Sequence, residues 1–227
     1  MLAAPARPLS LVLRECTAAA HGDVEKSPFL SRLVSGALNR AAAADYAAQL
    51  WFVYSAMEAA VREHSADPRL AVVADPRLER VGALERDLAH LIGPRWRSCI
   101  LPGPGTAAYA DRLAGLAEVG DVTGLIAHHY VRYLGDLSGG QLLARVLRER
   151  YRVGAAGLHF YDFREAGDPG ICRAEYRRQL DSLALGEVDV SWLVFSANEA
   201  FALNRGVCRD LAERHCTLSD RIWSGVD

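Results

Sequence analysis

The stretch RYLGDLSGGQ, residues 132–141, carries three glycines and one aspartate inside a segment whose flanks have helical periodicity. Each glycine in a helix interior costs about 0.5–1 kcal/mol relative to alanine. At about 100° per residue, Gly135 and Gly139 lie on nearly the same line of the helix, and Asp136 shares a line with Gly140. The pattern fits either a tight helix crossing or a ligand that approaches bare backbone, with a kink permitted at Gly139-Gly140.

The chain on both sides of this stretch is predicted to be all-α. Apolar residues recur at three- and four-residue spacing, and period-two runs of β-branched residues are absent. Cap and proline signals predict helices over 10–25 (N-cap Ser10), 29–36, 41–64, 76–92, 106–119 (N-cap Thr106), 121–152, 169–185 and 189–215. No repeat or low-complexity linker separates them, so we expect one domain over 1–227, with its core at about 10–215 and short tails.

The composition narrows the class of protein. The chain has 227 residues, of which 51% are hydrophobic and 24% charged, as is typical of a soluble globular protein. A formal charge of -2 offers no attraction to nucleic acid. Its five cysteines contain no C-x-x-C pair, which indicates free thiols. The longest charge-free helical stretch, 46–57, is too short to span a bilayer, so we expect no membrane anchor and a cytoplasmic location.

A second pattern lies on the first predicted helix. One stripe of this helix carries a histidine with small residues a turn before it and a carboxylate a turn after: Arg14, Thr17, Ala18, His21 and Glu25. His21 could offer Nε2 to a metal while Glu25 holds the other ring nitrogen. The alternative is a surface histidine that pairs with Glu25.

Six segments of the chain occur in the order and approximate spacing of one known family: LRECTAAAH, ALERDLAHLIGPRW, RYLGDLSGGQ, GLHFYDF, EYRRQLDSL and FALN. They cover about 13–204, and YLGDLSGGQ is specific to that family. The chain resembles the heme oxygenases, in particular the soluble bacterial enzymes that produce biliverdin. The resemblance implies an all-α fold with heme b, as both substrate and cofactor, between the first helix and a kinked distal helix.

The resemblance also implies how the heme is held. His21 matches the family's proximal iron ligand, and Glu25 matches the carboxylate behind it. Gly135, Gly139 and Gly140 match the part of the distal helix that lies over the ring. Without side chains there, the helix backbone can pack directly on the macrocycle. The little space that remains above the iron directs iron-bound oxygen toward one meso carbon.

Three polar residues match the family's distal network. Asp136 matches the distal aspartate, whose expected task is to order a water chain that protonates the bound oxygen. Tyr54 and Arg132 match other members of this network. The alternative for Arg132 is an ion pair with Asp136, four residues later on the same helix face. The alternative for Tyr54 is an ordinary tyrosine of the hydrophobic core.

The remaining matched positions surround the ring. Arg14, Arg173 and Arg177 match basic residues that bind the heme propionates, although lysine is common in the family at the first two positions. Other heme-binding positions are Thr17, Ala18, Tyr130, Phe201 and Asn204, with Phe160 and Phe163 as wall or support. His128 and His129 are interpreted as structural or surface histidines, because a strong ligand on the distal helix would close the open coordination position.

The predicted reaction converts heme, dioxygen and electrons to biliverdin, expected as the α isomer, carbon monoxide and ferrous iron. The chain has no glycine fingerprint for NAD and no flavin module, so a ferredoxin with its reductase, or a flavoprotein, is the expected electron donor. The alternative is a heme-binding or trafficking protein that leaves heme intact, for which a distal carboxylate such as Asp136 has no evident use. A helical di-iron protein would need E-x-x-H motifs, and the sequence has none.

Overall fold

The computed structural model describes residues 7–216, and all regular structure in that range is helical. Eleven α-helices occur there: α1 Leu9–Cys16, α2 Ala18–Glu25, α3 Pro28–Ser35, α4 Arg40–Glu63, α5 Pro68–Val73, α6 Val81–Leu91, α7 Pro104–Glu118, α8 Val122–His129, α9 Gly135–Arg150, α10 Pro169–Asp181 and α11 Glu187–His215. Short 3₁₀ turns lie at Pro76–Leu78, Trp96–Ser98, Ala155–Gly157 and His159–Tyr161. The prediction of an all-α fold is confirmed.

Two long helices organise the core. The helix α4 packs against α6 and α7, and α11 packs against α7 and α8. Their apolar faces join one large hydrophobic cluster, in which Met57, Leu84, Leu113 and Ile126 are all 0% exposed. The helices α1 to α3 and α9 to α10 pack around this centre, so that α2 and α3 come to face α9 across a gap.

The segment that contains the glycine motif runs from α8 through a π-helical turn, Tyr130–Leu134, into α9. The predicted start is correct, because the Asp121 side chain caps α8 by accepting from Gly124 N at 2.8 Å. The irregular backbone, however, lies one turn before the glycines. Hydrogen bonding is α-helical through Gly139-Gly140, whereas the wider turn precedes Gly135.

The first predicted helix is broken, contrary to expectation. Thr17 ends α1 with φ −107° and ψ 0°, and its hydroxyl donates to the carbonyl of Leu13 at 2.7 Å. Such back-bonding competes with the regular helix and bends it. Ser10 is also not the N-cap, since Pro8 holds that position and the Ser10 hydroxyl donates to Asp181 on α10 at 2.9 Å.

Other boundaries were predicted wrongly for tertiary reasons. The helix expected over 76–92 is a 3₁₀ turn followed by α6, because the buried Glu58 carboxylate takes the backbone N–H groups of Arg80 and Val81 at 2.5 and 3.0 Å. Thr106 lies inside α7, whose N-cap is Gly103. The helix expected to end at about 185 ends at Asp181, and α5 was not predicted at all.

None of the helices in 7–216 is long and apolar enough to cross a membrane. The expected terminal tails, residues 1–6 and 217–227, lie outside the described part of the chain.

Candidate active site

A cavity of about 560 Å³ lies between α2 and α3 on one side and α9 on the other, closed at the back by α4 and α11. A second cavity of about 270 Å³ adjoins it, since both are lined by His21, Val131, Gly135 and Phe201. Together they form one elongated, largely apolar slot. This shape is typical of a site for a flat ligand with a polar end.

His21 projects from α2 into both cavities. Its ring meets the Phe201 ring edge to face, with centroids 5.7 Å apart, and Nδ1 lies 3.5 Å from Glu25 Oε2. That separation is too long for a direct hydrogen bond, so the carboxylate can orient the imidazole by charge or through water. Nε2 has no partner within 7–216 and is available to a metal.

The opposite wall is bare helix backbone. A Cβ built on Gly135 or Gly139 meets nothing within 4 Å, whereas one on Gly140 would lie 3.3 Å from the Tyr161 ring. A tight helix crossing would fill the space beside these glycines, so that interpretation fails for Gly135 and Gly139. Their bare faces border the cavity, where a planar ligand can lie against the peptide backbone.

Behind this wall, four polar side chains from α4, α9, α11 and the π turn form one network. The Tyr54 hydroxyl donates to Asp136 Oδ2, and Arg132 Nε donates to the same hydroxyl at 3.3 Å. Arg132 also donates from Nη1 to Asn204 Oδ1 at 2.6 Å, and its Nη2 lies 3.8 Å from Asp136 Oδ1. The i,i+4 pair of Arg132 and Asp136 therefore exists within a larger network, in which Tyr54 is a bridging hydroxyl.

The network holds a carboxylate in an unusual electrostatic state. Burial raises the pKa of Asp136 above its usual range, while the Arg132 charge and the Tyr54 hydrogen bond oppose this shift. Burial also raises the pKa of Tyr54 well above that of a free phenol, so Tyr54 stays a donor. A cavity-facing carboxyl whose pKa is raised holds a proton more readily than a solvent-exposed aspartate does, which suits a group that exchanges protons with the cavity.

The smaller cavity forms a basic end of the slot. Arg14 and Arg177 line it together with Thr17, Ala18 and Tyr130. Arg173 does not: its Nη1 donates to the carbonyl of Leu137 on α9 at 3.2 Å, and it lines neither cavity. The structure thus brings two of the three predicted propionate-binding arginines to the slot.

Several cavity residues were not predicted from the sequence. The back wall includes Tyr46, Leu50 and Val53, whose spacing on α4 is an amphipathic signal that could have identified them. The rest of this set is Val24, Leu30, Ser31, Val34, Ser35, Val131, Leu142, Leu143, Tyr161, Val207 and Cys208. Phe160 lines the cavity as predicted, whereas Phe163 packs under the Arg80 guanidinium at 4.2 Å.

His128 and His129 lie outside the lining of the slot. Both side chains are buried, and His129 Nδ1 lies 2.8 Å from the Tyr176 hydroxyl. Among residues 7–216, no group of three or more His, Cys, Asp or Glu side chains could hold a metal ion. Within this range His21 therefore faces the slot as a lone imidazole and not as part of a multidentate metal site.

The family model described as Heme oxygenase matches residues 7–210. The chain belongs to the heme oxygenase family. Heme oxygenase 2 of Synechocystis is 36% identical over 209 residues, covering 90% of this chain and 83% of the relative. The heme oxygenase of Rhodella violacea is 34% identical over 204 residues, covering 89% and 86%.

Solved structures of the family share the fold. The crystal structure of heme oxygenase-1 from Synechocystis in complex with heme has a TM-score of 0.88 at 31% identity, over 95% of this chain and 96% of that one. The crystal structure of heme oxygenase-2 from the same organism, in complex with heme and NO, has a TM-score of 0.86 at 36% identity, over 91% and 86%. The all-α heme oxygenase fold predicted from the sequence is confirmed.

Proposed function

We propose that this heme oxygenase cleaves heme with dioxygen and electrons to α-biliverdin, carbon monoxide and ferrous iron, as a single domain over the chain. Family membership makes the chain a heme-degrading oxidoreductase, with heme as its substrate. The observation that carries the proposal is the arrangement of one slot: the His21 imidazole on one wall, and the bare glycine backbone with Asp136 on the other. These residues fit heme in shape and in chemistry.

His21 is assigned as the proximal ligand, through Nε2. The lone Nε2 supports this role, and Glu25, 3.5 Å from Nδ1, would keep the ring oriented when Nε2 holds the iron. Phe201 supports the ring from its edge. Bound heme supplies the iron at which dioxygen binds and the ring that is oxidised.

Asp136 is assigned the control of protons at the distal wall. Tyr54 and Arg132 hold both of its oxygens, so the carboxyl group keeps a fixed position beside Gly135 and Gly139. From there it would order water in the slot and hold a proton at a carboxyl oxygen for delivery into the slot. Asn204 fixes the Arg132 side chain and therefore acts through it.

Arg14 and Arg177 are assigned to the heme propionates. Both line the narrow end of the slot, where two carboxylates need cations. This contact would fix how the ring is seated in the slot and therefore which meso carbon is oxidised. Arg173 is assigned a supporting role through α9, because it bonds the Leu137 carbonyl.

The electrons are proposed to come from a ferredoxin with its reductase or from a flavoprotein. An arginine-rich face beside the heme edge would attract an acidic carrier, in a weak and salt-sensitive encounter. A turnover rate that is independent of ionic strength would contradict this docking. The free thiols of Cys16, Cys99, Cys172 and Cys208 agree with a cytoplasmic location.

The test is reductive turnover of the hemin complex under air. An oxygenase loses the Soret band and forms a bilin, whose isomer chromatography identifies. A heme carrier would keep its Soret band, and that result would refute the proposed function. Asp136→Asn should bind heme as the wild type does and yet form little bilin, and undiminished bilin formation in this variant would refute the proton role.

A further inference from the structure

The end of the slot that lies away from the arginines carries two tyrosines. Of the two cavities that make up the slot, Arg14 and Arg177 line only the smaller one, whereas Tyr46 and Tyr161 line only the larger one. The residues that line both cavities, among them His21, therefore lie between these two ends. We call the part of the slot at Tyr46 and Tyr161 the tyrosine end.

Contacts with neighbouring elements hold both tyrosine rings in place. The Tyr161 ring lies against the backbone of α9, where a Cβ on Gly140 would come within 3.3 Å of it. Gln141 Nε2 donates to the Tyr161 carbonyl at 2.8 Å and ties this residue to the same helix. The Tyr46 ring, on α4, packs on the Phe29 ring with centroids 5.7 Å apart. The two tyrosines are close enough for Tyr46 to act electrostatically on the Tyr161 hydroxyl.

Both hydroxyls are hydrogen-bond donors without an acceptor. No residue within 7–216 accepts a hydrogen bond from either one, and neither belongs to the fully enclosed polar atoms of this range, so both open to the cavity that they line. Burial raises the pKa of both phenols, although the Arg132 charge opposes the shift, so both stay protonated. This end of a largely apolar slot therefore suits a ligand that brings acceptor atoms to it.

Heme b offers no acceptor to the tyrosine end, but its ring-opened product does. When the propionates bind at Arg14 and Arg177, the edge that points away from them carries the α-meso carbon, which is flanked by a vinyl and a methyl group. Cleavage at that carbon leaves a lactam carbonyl on each of the two pyrrole rings that it joined. Two acceptors are thus created at the edge that faces Tyr46 and Tyr161.

We propose that Tyr46 and Tyr161 form a product-binding subsite, in which each hydroxyl donates to one lactam oxygen of α-biliverdin while the propionates stay at the basic end. The inference rests on the proposed function, because that function makes α-biliverdin the product. In the heme complex the same hydroxyls bond only to water or stay unpaired, so they contribute little to the affinity for substrate. The subsite therefore binds the product more tightly than the substrate and slows product release.

The distance between the two ends also makes the subsite selective among bilin isomers. In β-biliverdin one of the two terminal rings carries a propionate, so the lactam oxygens do not lie opposite the propionates. With its propionates at Arg14 and Arg177, this isomer points its lactam oxygens at a side wall of the slot. The hydroxyls of Tyr46 and Tyr161 therefore distinguish the α isomer from the β isomer.

Ligand binding without turnover tests this subsite. Absorbance titrations of the full-length apo protein with α-biliverdin, β-biliverdin and hemin give three Kd values for each protein. The variants Tyr46→Phe and Tyr161→Phe remove one hydroxyl each and keep the ring. The matched control is Tyr151→Phe, which removes a hydroxyl that donates to the Leu33 carbonyl at 2.8 Å and belongs to a residue that lines neither cavity.

We expect each variant to raise the Kd for α-biliverdin about fivefold, as for the loss of one hydrogen bond, and to leave the Kd for hemin and for β-biliverdin within about twofold of the wild type. Infrared spectra give a second readout. The lactam C=O stretching band of bound α-biliverdin should move to higher frequency in each variant, because a donated hydrogen bond weakens the C=O bond. The control should match the wild type in both measurements.

Three results would overturn the proposal. An unchanged Kd and an unchanged C=O band for α-biliverdin in both variants would show that the hydroxyls do not bind the product. An equal rise of the Kd for hemin and for α-biliverdin would show that the tyrosines only shape the slot. An equal rise for both bilin isomers would show that the hydroxyls do not meet the cleaved edge.

Failure of the proposed function is seen in a separate measurement. If the hemin complex of the wild type keeps its Soret band during reductive turnover under air, the protein does not make biliverdin, and the assignment of Tyr46 and Tyr161 to a product fails with it. If bilin forms and the titrations show no selective loss of α-biliverdin binding, only the product-binding subsite is refuted.

Discussion

The two cavity-facing glycines of α9 predict a conflict between folding stability and heme binding. Gly135 has ordinary helical dihedrals, φ −60° and ψ −48°, and an added Cβ at Gly135 or Gly139 meets nothing within 4 Å. Alanine is therefore compatible with the apo structure at both positions. The change under test is the double variant Gly135→Ala, Gly139→Ala.

The expected gain follows from helix propensity. Replacing glycine by alanine in a helix interior contributes about 0.5–1 kcal/mol per site, so the pair should contribute about 1–2 kcal/mol. For a chain of this size, about 1 kcal/mol raises the melting temperature by about 2–4 °C. The apo variant should therefore melt about 2–8 °C above the wild type.

Heme binding should change in the opposite direction. Each new methyl group projects into the slot, where a close-packed ring would have to shift, and overpacking costs about 1–3 kcal/mol. A loss of about 1 kcal/mol raises the Kd for heme about fivefold. Thermal unfolding of the apo protein and absorbance titration with hemin measure the two effects.

A matched control separates the two effects. Gly115 on α7 also has no atom within 4 Å of an added Cβ, but it lines neither cavity of the slot. Gly115→Ala should stabilise the protein and leave the Kd for heme unchanged. If the double variant were destabilised, or if it bound heme as tightly as the wild type, the functional explanation of the bare backbone would be wrong.

Three further predictions test other parts of the site. His21→Ala should weaken heme binding and abolish bilin formation until imidazole is added, and full activity without imidazole would show that the axial ligand lies elsewhere. Arg14→Gln and Arg177→Gln should each raise the Kd for heme about fivefold in absorbance titrations, for a loss of about 1 kcal/mol; Arg173→Gln should change it less, because Arg173 lines neither cavity. Burial raises the pKa of Glu58, so the folded protein binds the Glu58 proton more tightly than the unfolded chain does. The free energy of unfolding therefore falls as the pH rises from the pKa of Glu58 in the unfolded chain to its pKa in the folded protein. In Glu58→Gln this pH-dependent fall should disappear, as urea unfolding at a series of pH values would measure. An identical pH dependence in the wild type and the variant would contradict the prediction.

Much of the site could be predicted because its residues are close in sequence or belong to recognisable segments. Thr17, Ala18 and His21 border one slot despite the break between α1 and α2, because the break redirects the backbone without removing the shared stripe. The glycine motif likewise predicted a face without side chains, and that face borders the main cavity at Gly135 and Gly139.

The errors have a common cause in contacts between distant parts of the chain. The helix expected at 76–92 fails because Glu58, on another helix, captures two backbone donors at its start. Ser10 is not the N-cap of α1, because its hydroxyl donates to Asp181 on the distant helix α10. Neither effect leaves a local signal in the sequence.

The sequence by itself determined that the chain is helical, that one helix has a face of glycines beside an aspartate, and that the chain resembles the heme oxygenases. Helical periodicity and glycine content are local properties, so they can be derived without knowing the fold. Only the tertiary structure decided which wall His21 faces, which arginines reach the slot, and that Tyr54 meets Arg132 and Asp136 behind the glycines. These arrangements depend on how α4, α7 and α11 pack, and packing joins residues that lie far apart in the chain.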